Sequence, residues 1–250
     1  MTRSGRKRLL AAVGAALALT VIAPVTAGGA TAATGKPVVG QCRQLTVDQA
    51  AAGTNPTNPI ACSSPHNARV IAVPTLPKGV TYADIGAAKL DKIATRLCYP
   101  AFRAALGQTD RVRNMSAYGF LYFKPTAQQR AAGARWLRCD LRLRHGATLA
   151  TLPTDRKPAL RGTVVPAGVR RCLAGKALRI TVCEASHRYR AAGAVKVDLK
   201  RYPGRTKLVR IGRQRCPAVV TTDADFRFTW NSKTVWNVAH DRTLICYNRS

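Results

Sequence analysis

The eight cysteines constrain this chain most, because they fall four and four: Cys42, Cys62, Cys98 and Cys139, then Cys172, Cys183, Cys216 and Cys246. Their surroundings return with them. Cys62 is followed at the fourth position by His66, and Cys183 by His187. Sixteen positions separate Phe123 from Cys139 and again Trp230 from Cys246. Laid over one another, these stretches match Arg135 with Arg242 and Leu137 with Leu244, each behind a turn-prone residue, Gly133 or Asp241. The chain reads as two diverged copies of one four-cysteine module.

The N-terminus indicates a compartment in which those cysteines can oxidise. Arg3, Arg6, Lys7 and Arg8 precede an apolar run from Leu9 to about Val25, with small residues at peptidase spacing in Val25-Thr26-Ala27 and Ala30-Thr31-Ala32. Residues 1–33 are therefore expected to be a cleaved signal peptide, and the protein to be secreted or held at the extracytoplasmic cell surface. The alternative is an uncleaved anchor, since the apolar run is at the short edge of a membrane span.

An even cysteine count in an exported chain reads as disulfides, and four cysteines allow three pairings per copy. The repeat favours the sequential pairing. Nineteen residues lie between Cys42 and Cys62 but only ten between Cys172 and Cys183, and an excursion of variable length is best tied at its base. The second pair of each copy then joins a helix to the last strand.

The first module (34–146) opens on a strand-like run, Val38 to Arg43, followed by a polar excursion with Pro56 and Pro59, and Ile60 to Cys62 resumes the strand. Ala68 to Val73 is a further strand. Thr81 or Asp84 is the expected cap of the main helix, whose stripe is Leu90, Ile93, Ala94 and Leu97, with Pro100 perturbing it. Ala117 to Phe123 reads as a strand, Pro125 to Ala132 as a short helix, and Arg135 to Arg144 as a last strand with one apolar and one basic face. Residues 147–165 show neither period and read as a linker. The second module (166–250) repeats the plan with strands near Gly168–Cys172, Ala177–Cys183, Arg188–Val197, Phe226–Trp230 and Thr243–Tyr247, a helix around Cys216 and a helical turn at Ser232–Val238. The expected class is α+β: two tandem small disulfide-linked domains, each an antiparallel sheet with one principal helix. The aromatic residues are few, so each core should be thin and dependent on its bridges.

This order resembles the septum-formation domain of actinobacterial exported proteins, in two tandem, diverged copies. The residues that carry the likeness are Gly40, Cys42, Cys62, His66, Val70, Cys98, Phe123, Pro125, Arg135 and Cys139, with a looser second set of Cys172, Cys183, His187, Cys216, Trp230, Trp236, Asp241, Arg242 and Cys246. Phe123 stands where the family tends to place Trp, and the second set lacks the Pro. The resemblance implies an extracytoplasmic domain associated with cell division, and it implies no reaction.

Charge is the strongest functional signal. Four of the 41 basic residues lie in the leader, leaving 37 against 11 acids, a net of +26. That exceeds what solubility needs. The densest segment, Lys196 to Arg215, holds eight basic residues against Asp198 alone. Within it Lys200, Arg201, Arg205, Lys207, Arg210 and Arg213 are the expected contacts for an anionic polymer, around a turn at Tyr202-Pro203-Gly204.

Other chemistries fit less well. His66 and His187 have a zinc-compatible spacing from a cysteine, but those cysteines are better used in bridges and no CxxC partner exists. A ribonuclease-like enzyme would need two histidines in one pocket, whereas His66 and His187 occupy equivalent places in two copies, His145 lies in the linker region and His240 beside Asp241. No G-x-S-x-G elbow or phosphate-binding glycine loop is present. Trp136, Trp230 and Trp236 could stack on a ligand, although single aromatics at strand ends usually belong to a core. The expectation is thus a non-enzymatic binding or accessory protein without cofactor, whose partner is an anionic cell-envelope polymer or surface, with no small-molecule substrate evident. The alternatives are an extracellular nucleic-acid binder or ribonuclease-like enzyme, and a structural module whose ligand is another envelope protein.

Overall fold

The structure is a computed structural model and describes residues 35–154, 158–221 and 225–250. The leader expected over residues 1–33 lies outside them.

The bridges are the sequential ones. Cys42 joins Cys62 and Cys98 joins Cys139, then Cys172 joins Cys183 and Cys216 joins Cys246, with Cα atoms 5.2, 5.6, 5.1 and 5.5 Å apart. No described cysteine is free.

In the first half the elements are β1 (Cys42–Arg43), α1 (Val47–Ala51), β2 (Ala68–Ala72), α2 (Ala87–Leu106), α3 (Asp110–Asn114), β3 (Tyr118–Phe123), α4 (Ala127–Ala131), β4 (Arg138–His145) and β5 (Thr148–Ala150). In the second they are β6 (Arg171–Ala174), β7 (Arg179–Val182), β8 (Tyr189–Lys196), α5 (Arg205–Arg215), β9 (Phe226–Trp230), a π-helical turn at Val235–Ala239, and β10 (Thr243–Arg249). Each half builds one antiparallel sheet of five strands. The first is ordered β1-β2-β4-β3 with β5 against β4, and the second β7-β6-β8-β10-β9. If β1, β2, β4 and β3 are set against β6, β8, β10 and β9, the two sheets have the same strand order.

Several elements depart from the sequence expectation for identifiable reasons. The excursion between Cys42 and Cys62 contains the short helix α1, fixed by a capping box in which Thr46 and Gln49 exchange side-chain-to-backbone hydrogen bonds of 2.9 and 3.2 Å. Ile60 makes only an isolated bridge to Cys42, so the strand there does not resume. Helix α2 begins behind Gly86 with no side-chain cap, because Thr81 and Asp84 bond to each other in the preceding loop. It also runs through Pro100. The buried residues Ala94, Cys98, Phe102 and Leu106 continue at helical spacing past the proline, and their burial outweighs the backbone bond that the ring removes. The stretch read as a linker starts as a hairpin, with β5 returning along β4.

Strand β4 has the expected alternation, but its charged face is buried too. Arg138 and Asp140 are 1% and 0% exposed. The excursion folds over that face, and Asn55 accepts from the Arg138 guanidinium through its carbonyl at 3.1 Å and its side-chain oxygen at 3.0 Å. Asp140 accepts from the Arg138 Nε–H at 3.1 Å.

Residues 35–250 fall within one compact unit. Its largest apolar cluster draws on Tyr99, Phe102 and Leu141 from the first half, Leu152, Leu160 and Val165 from the segment between, and Val169 and Val182 from the second. Smaller clusters surround Trp236 and Leu208 on one side and Ala94 and Leu137 on the other.

Candidate functional site

The basic segment folds into α5. Pro203 and Gly204 turn the chain, Gly204 adopting φ 85°, a left-handed conformation that favours glycine. Leu208 and Gly212 then anchor one side of the helix in the second half. Gly212 is required by a close approach: a Cβ there would stand 2.4 Å from the Phe228 ring of β9.

On β9 the alternating residues Phe226, Phe228 and Trp230 share a face, and successive ring centroids are 6.2 and 6.3 Å apart. Between this ladder and α5 lies a groove of about 800 Å³ lined by Arg205, Val209 and Arg213 on the helix and by residues 226–230 on the strand, Arg227 included. Arg205, Val209 and Arg213 are four residues apart, which places them on one side of the helix. Trp230 is held in position by its indole N–H, which donates to the Tyr202 hydroxyl at 2.9 Å. The groove therefore combines half-buried aromatic rings with guanidinium groups at its rim.

The six basic residues singled out in the sequence are all exposed. Arg205 and Arg213 reach the groove, Lys207 and Arg210 lie further round the helix, and Lys200 and Arg201 precede it. Among the described residues none of the six is in an ion pair. The tryptophans divide. Trp236 is fully buried with its N–H on the Leu199 carbonyl, Trp136 is 7% exposed, and Trp230 alone lines the groove. The sequence treated all three alike, and only the register of β9 separates them.

The two histidines occupy matching turns. The ring Nδ1 of His66 donates to the Ser64 carbonyl at 2.9 Å and that of His187 to the Ala185 carbonyl at 2.7 Å, and each Nε2 is buried without a partner among the described residues. Cys172, Cys183 and His187 bring ligand-type atoms within 4.8 Å of one another. Both sulfurs are bonded to each other, however, so the cluster offers no thiolate to a metal. Arg135 and Arg242, matched in sequence, do different work. Arg135 donates to the Pro77 carbonyl at 2.7 Å and closes the loop before α2, while Arg242 lies 3.3 Å from the His240 Nδ1.

Asp241, which the sequence marks as turn-prone and as part of the second motif set but gives no role, proves central. The buried Asp241 carboxylate accepts from the Tyr99 hydroxyl at 2.5 Å, the Asn114 amide at 2.7 Å and the Thr243 hydroxyl at 2.6 Å, tying α2 and α3 to the start of β10. Burial and the Asp241 charge push the Tyr99 phenol far above its ordinary value. No local pattern signals this tie, because Tyr99 and Asn114 lie more than a hundred residues from Asp241.

Among the described residues no helix is long and apolar enough to cross a membrane. Comparison with curated proteins and with solved structures gives no match to the chain. A family model described as septum formation does match, over residues 79–243, in one stretch that crosses both bridged halves and covers about two thirds of the sequence, and the chain belongs to that family.

Proposed function

We propose that this septum-formation-like protein is an extracytoplasmic, non-enzymatic accessory factor that grips an anionic envelope polymer along α5 and the groove beside β9. The observation that carries this reading is a set of six exposed cations without acidic partners, two of them at the rim of an aromatic-lined groove. Unneutralised surface charge attracts polyanions through counterion release, and aromatic faces add stacking on rings. Four disulfides fit a protein that works in an oxidising compartment. The shared strand order of the two sheets supports descent of the halves from one module.

The test is a salt series on the mature protein and on a variant with Lys200, Arg201, Arg205, Lys207, Arg210 and Arg213 changed to Gln, with denaturation curves for both. Wild-type binding to a polyanion should fall steeply with salt, and the variant should bind orders of magnitude more weakly with a flatter slope, since each phosphate-type contact contributes roughly one unit of log–log slope. Folding should be nearly unchanged. An unchanged slope in a folded variant would remove α5 from the binding surface, and affinity that survives high salt would point to a protein partner instead.

A further inference from the structure

A second cationic site lies on the charged face of the first sheet, where β4 passes from buried to half-buried. The charged face of β4 presents Arg138, Asp140, Arg142 and Arg144 in succession. Asp140 is taken up by Arg138. The Arg142 and Arg144 side chains have no hydrogen-bonding partner among the described residues, and the Nε of each is buried. Small neighbours make room for them. Arg142 lies opposite Ala68 on β2 and Gly119 on β3, and the Arg144 side chain folds back over Gly119, where a Cβ would stand 3.1 Å from its Nε.

Arg142 and Arg144 line a cleft of about 320 Å³ together with Arg179 from β7, with Val47, Ala50, Leu149 and Ile180 supplying apolar walls, and Arg144 also borders a smaller pocket beside Gly119, Arg171 and Asp241. Among the described residues no carboxylate lines the cleft itself. Elsewhere in the interior, Asp241 is occupied by Tyr99, Asn114 and Thr243. Burial, then the neighbouring charges of Arg171 and Arg142, depress Arg144 to about 9, and burial alone lowers Arg142. A guanidinium remains charged at neutral pH, so both side chains carry their charge where burial disfavours it.

Like charges gathered in a half-buried cleft are unfavourable unless an anion completes them. We propose that Arg142, Arg144 and Arg179 form a binding site for a phosphate group, either free phosphate or phosphate carried on a small organic body. Two guanidinium forks and a third at the rim suit a dianion with several lone pairs. The cleft is larger than a phosphate alone, and its apolar walls would receive an organic remainder. This site is separate from α5 and does not depend on the polymer-binding reading.

The experiment is calorimetric titration of the mature protein with inorganic phosphate and with phenyl phosphate, at constant ionic strength set by sodium chloride. Both should bind in the wild type and in the six-residue α5 variant. Arg142→Gln with Arg144→Gln should weaken both by roughly a hundredfold, because charge-assisted bonds from two guanidiniums are lost. In chloride alone that double variant should be at least as thermally stable as wild type, since it removes uncompensated buried charge. Arg179→Gln, at an exposed position that cannot disturb folding, should weaken binding by roughly tenfold. Tighter binding of phenyl phosphate would identify an organic phosphate as the natural class, and tighter binding of inorganic phosphate the free ion. Absence of binding in wild type, or binding unaffected in both arginine variants, would overturn the proposal.

Discussion

At the scale of single residues, the interior is held by polar ties that pattern reading passes over. Asp241 satisfies donors from three elements, so Asp241→Ala leaves the Tyr99 hydroxyl buried without an acceptor and the Asn114 amide with only its bond to the Asp110 carbonyl. The expected loss is about 3 kcal/mol, read from urea unfolding; a change below about 0.5 kcal/mol would mean that water replaces the carboxylate without cost. Tyrosine burial gives a second expectation. Tyr82, Tyr99, Tyr118 and Tyr122 are all raised, chiefly by burial, with Tyr118 pushed up to about 12. Between the ordinary phenol value near 10 and those raised values the unfolded chain has lost protons that the native state keeps, so stability is full below about pH 10 and falls as pH rises through this window. Phenolate absorbance should therefore rise together with unfolding; phenols that ionise while the fold persists would contradict it. Cysteine spacing made the bridges legible because each sulfur has one partner and the repeat supplied the pairing. It could not reveal Asp241, whose role depends on where α2 and α3 come to rest.

At the scale of elements, strands were more legible than the segments that cover them. Strand β9 ran as expected from Phe226 to Trp230, yet its equivalence with β3 slips by one residue. Tyr122 lies opposite Cys139, whereas Phe228 lies opposite Cys246, so Trp230 does not occupy the place of Phe123. A one-residue slip exchanges faces. Phe123 is buried under the first sheet, and Trp230 turns to the groove. Pro100 is expected to perturb helix α2, and the tertiary cover of Ala94, Cys98, Phe102 and Leu106 shows why the helix nevertheless continues to Leu106. Pro100 is itself exposed, and Pro100→Ala should stabilise the protein by about 1–3 kcal/mol, partly offset by a freer unfolded chain. The contact between α5 and β9 is tested in the other direction. Gly212→Ala must push the helix off the Phe228 ring, costing about 1–3 kcal/mol and widening the groove, which tryptophan fluorescence from Trp230 should register. A variant with unchanged stability and emission would show that the helix is not seated as described.

At the scale of the whole molecule, two sheets with one strand order share a core that neither half contains alone. Residues from 99 to 182 meet in the largest apolar cluster, Asp241 reaches back to α2 and α3, and Ser116 forms an isolated bridge with Arg170. The sequence suggests thin cores because its aromatic residues are few, and residues 147–165 read as a connector because they lack periodicity. In the fold Leu152, Leu160 and Val165 are nearly inaccessible, 3%, 3% and 1% exposed, so this irregular segment is part of the core that joins the halves. A half produced by itself would expose that cluster to water at roughly 25 cal/mol per Å² of apolar surface, a penalty that two bridges worth about 2–4 kcal/mol each do not meet. Residues 35–154 and 158–250, produced separately with their disulfides formed, should therefore each lack a cooperative thermal transition, while the full mature chain shows a single one. Near-ultraviolet circular dichroism and urea titration of the three proteins measure this. A sharp transition in either half alone would show that its own sheet and bridges suffice and that the shared cluster is an interface between independent domains.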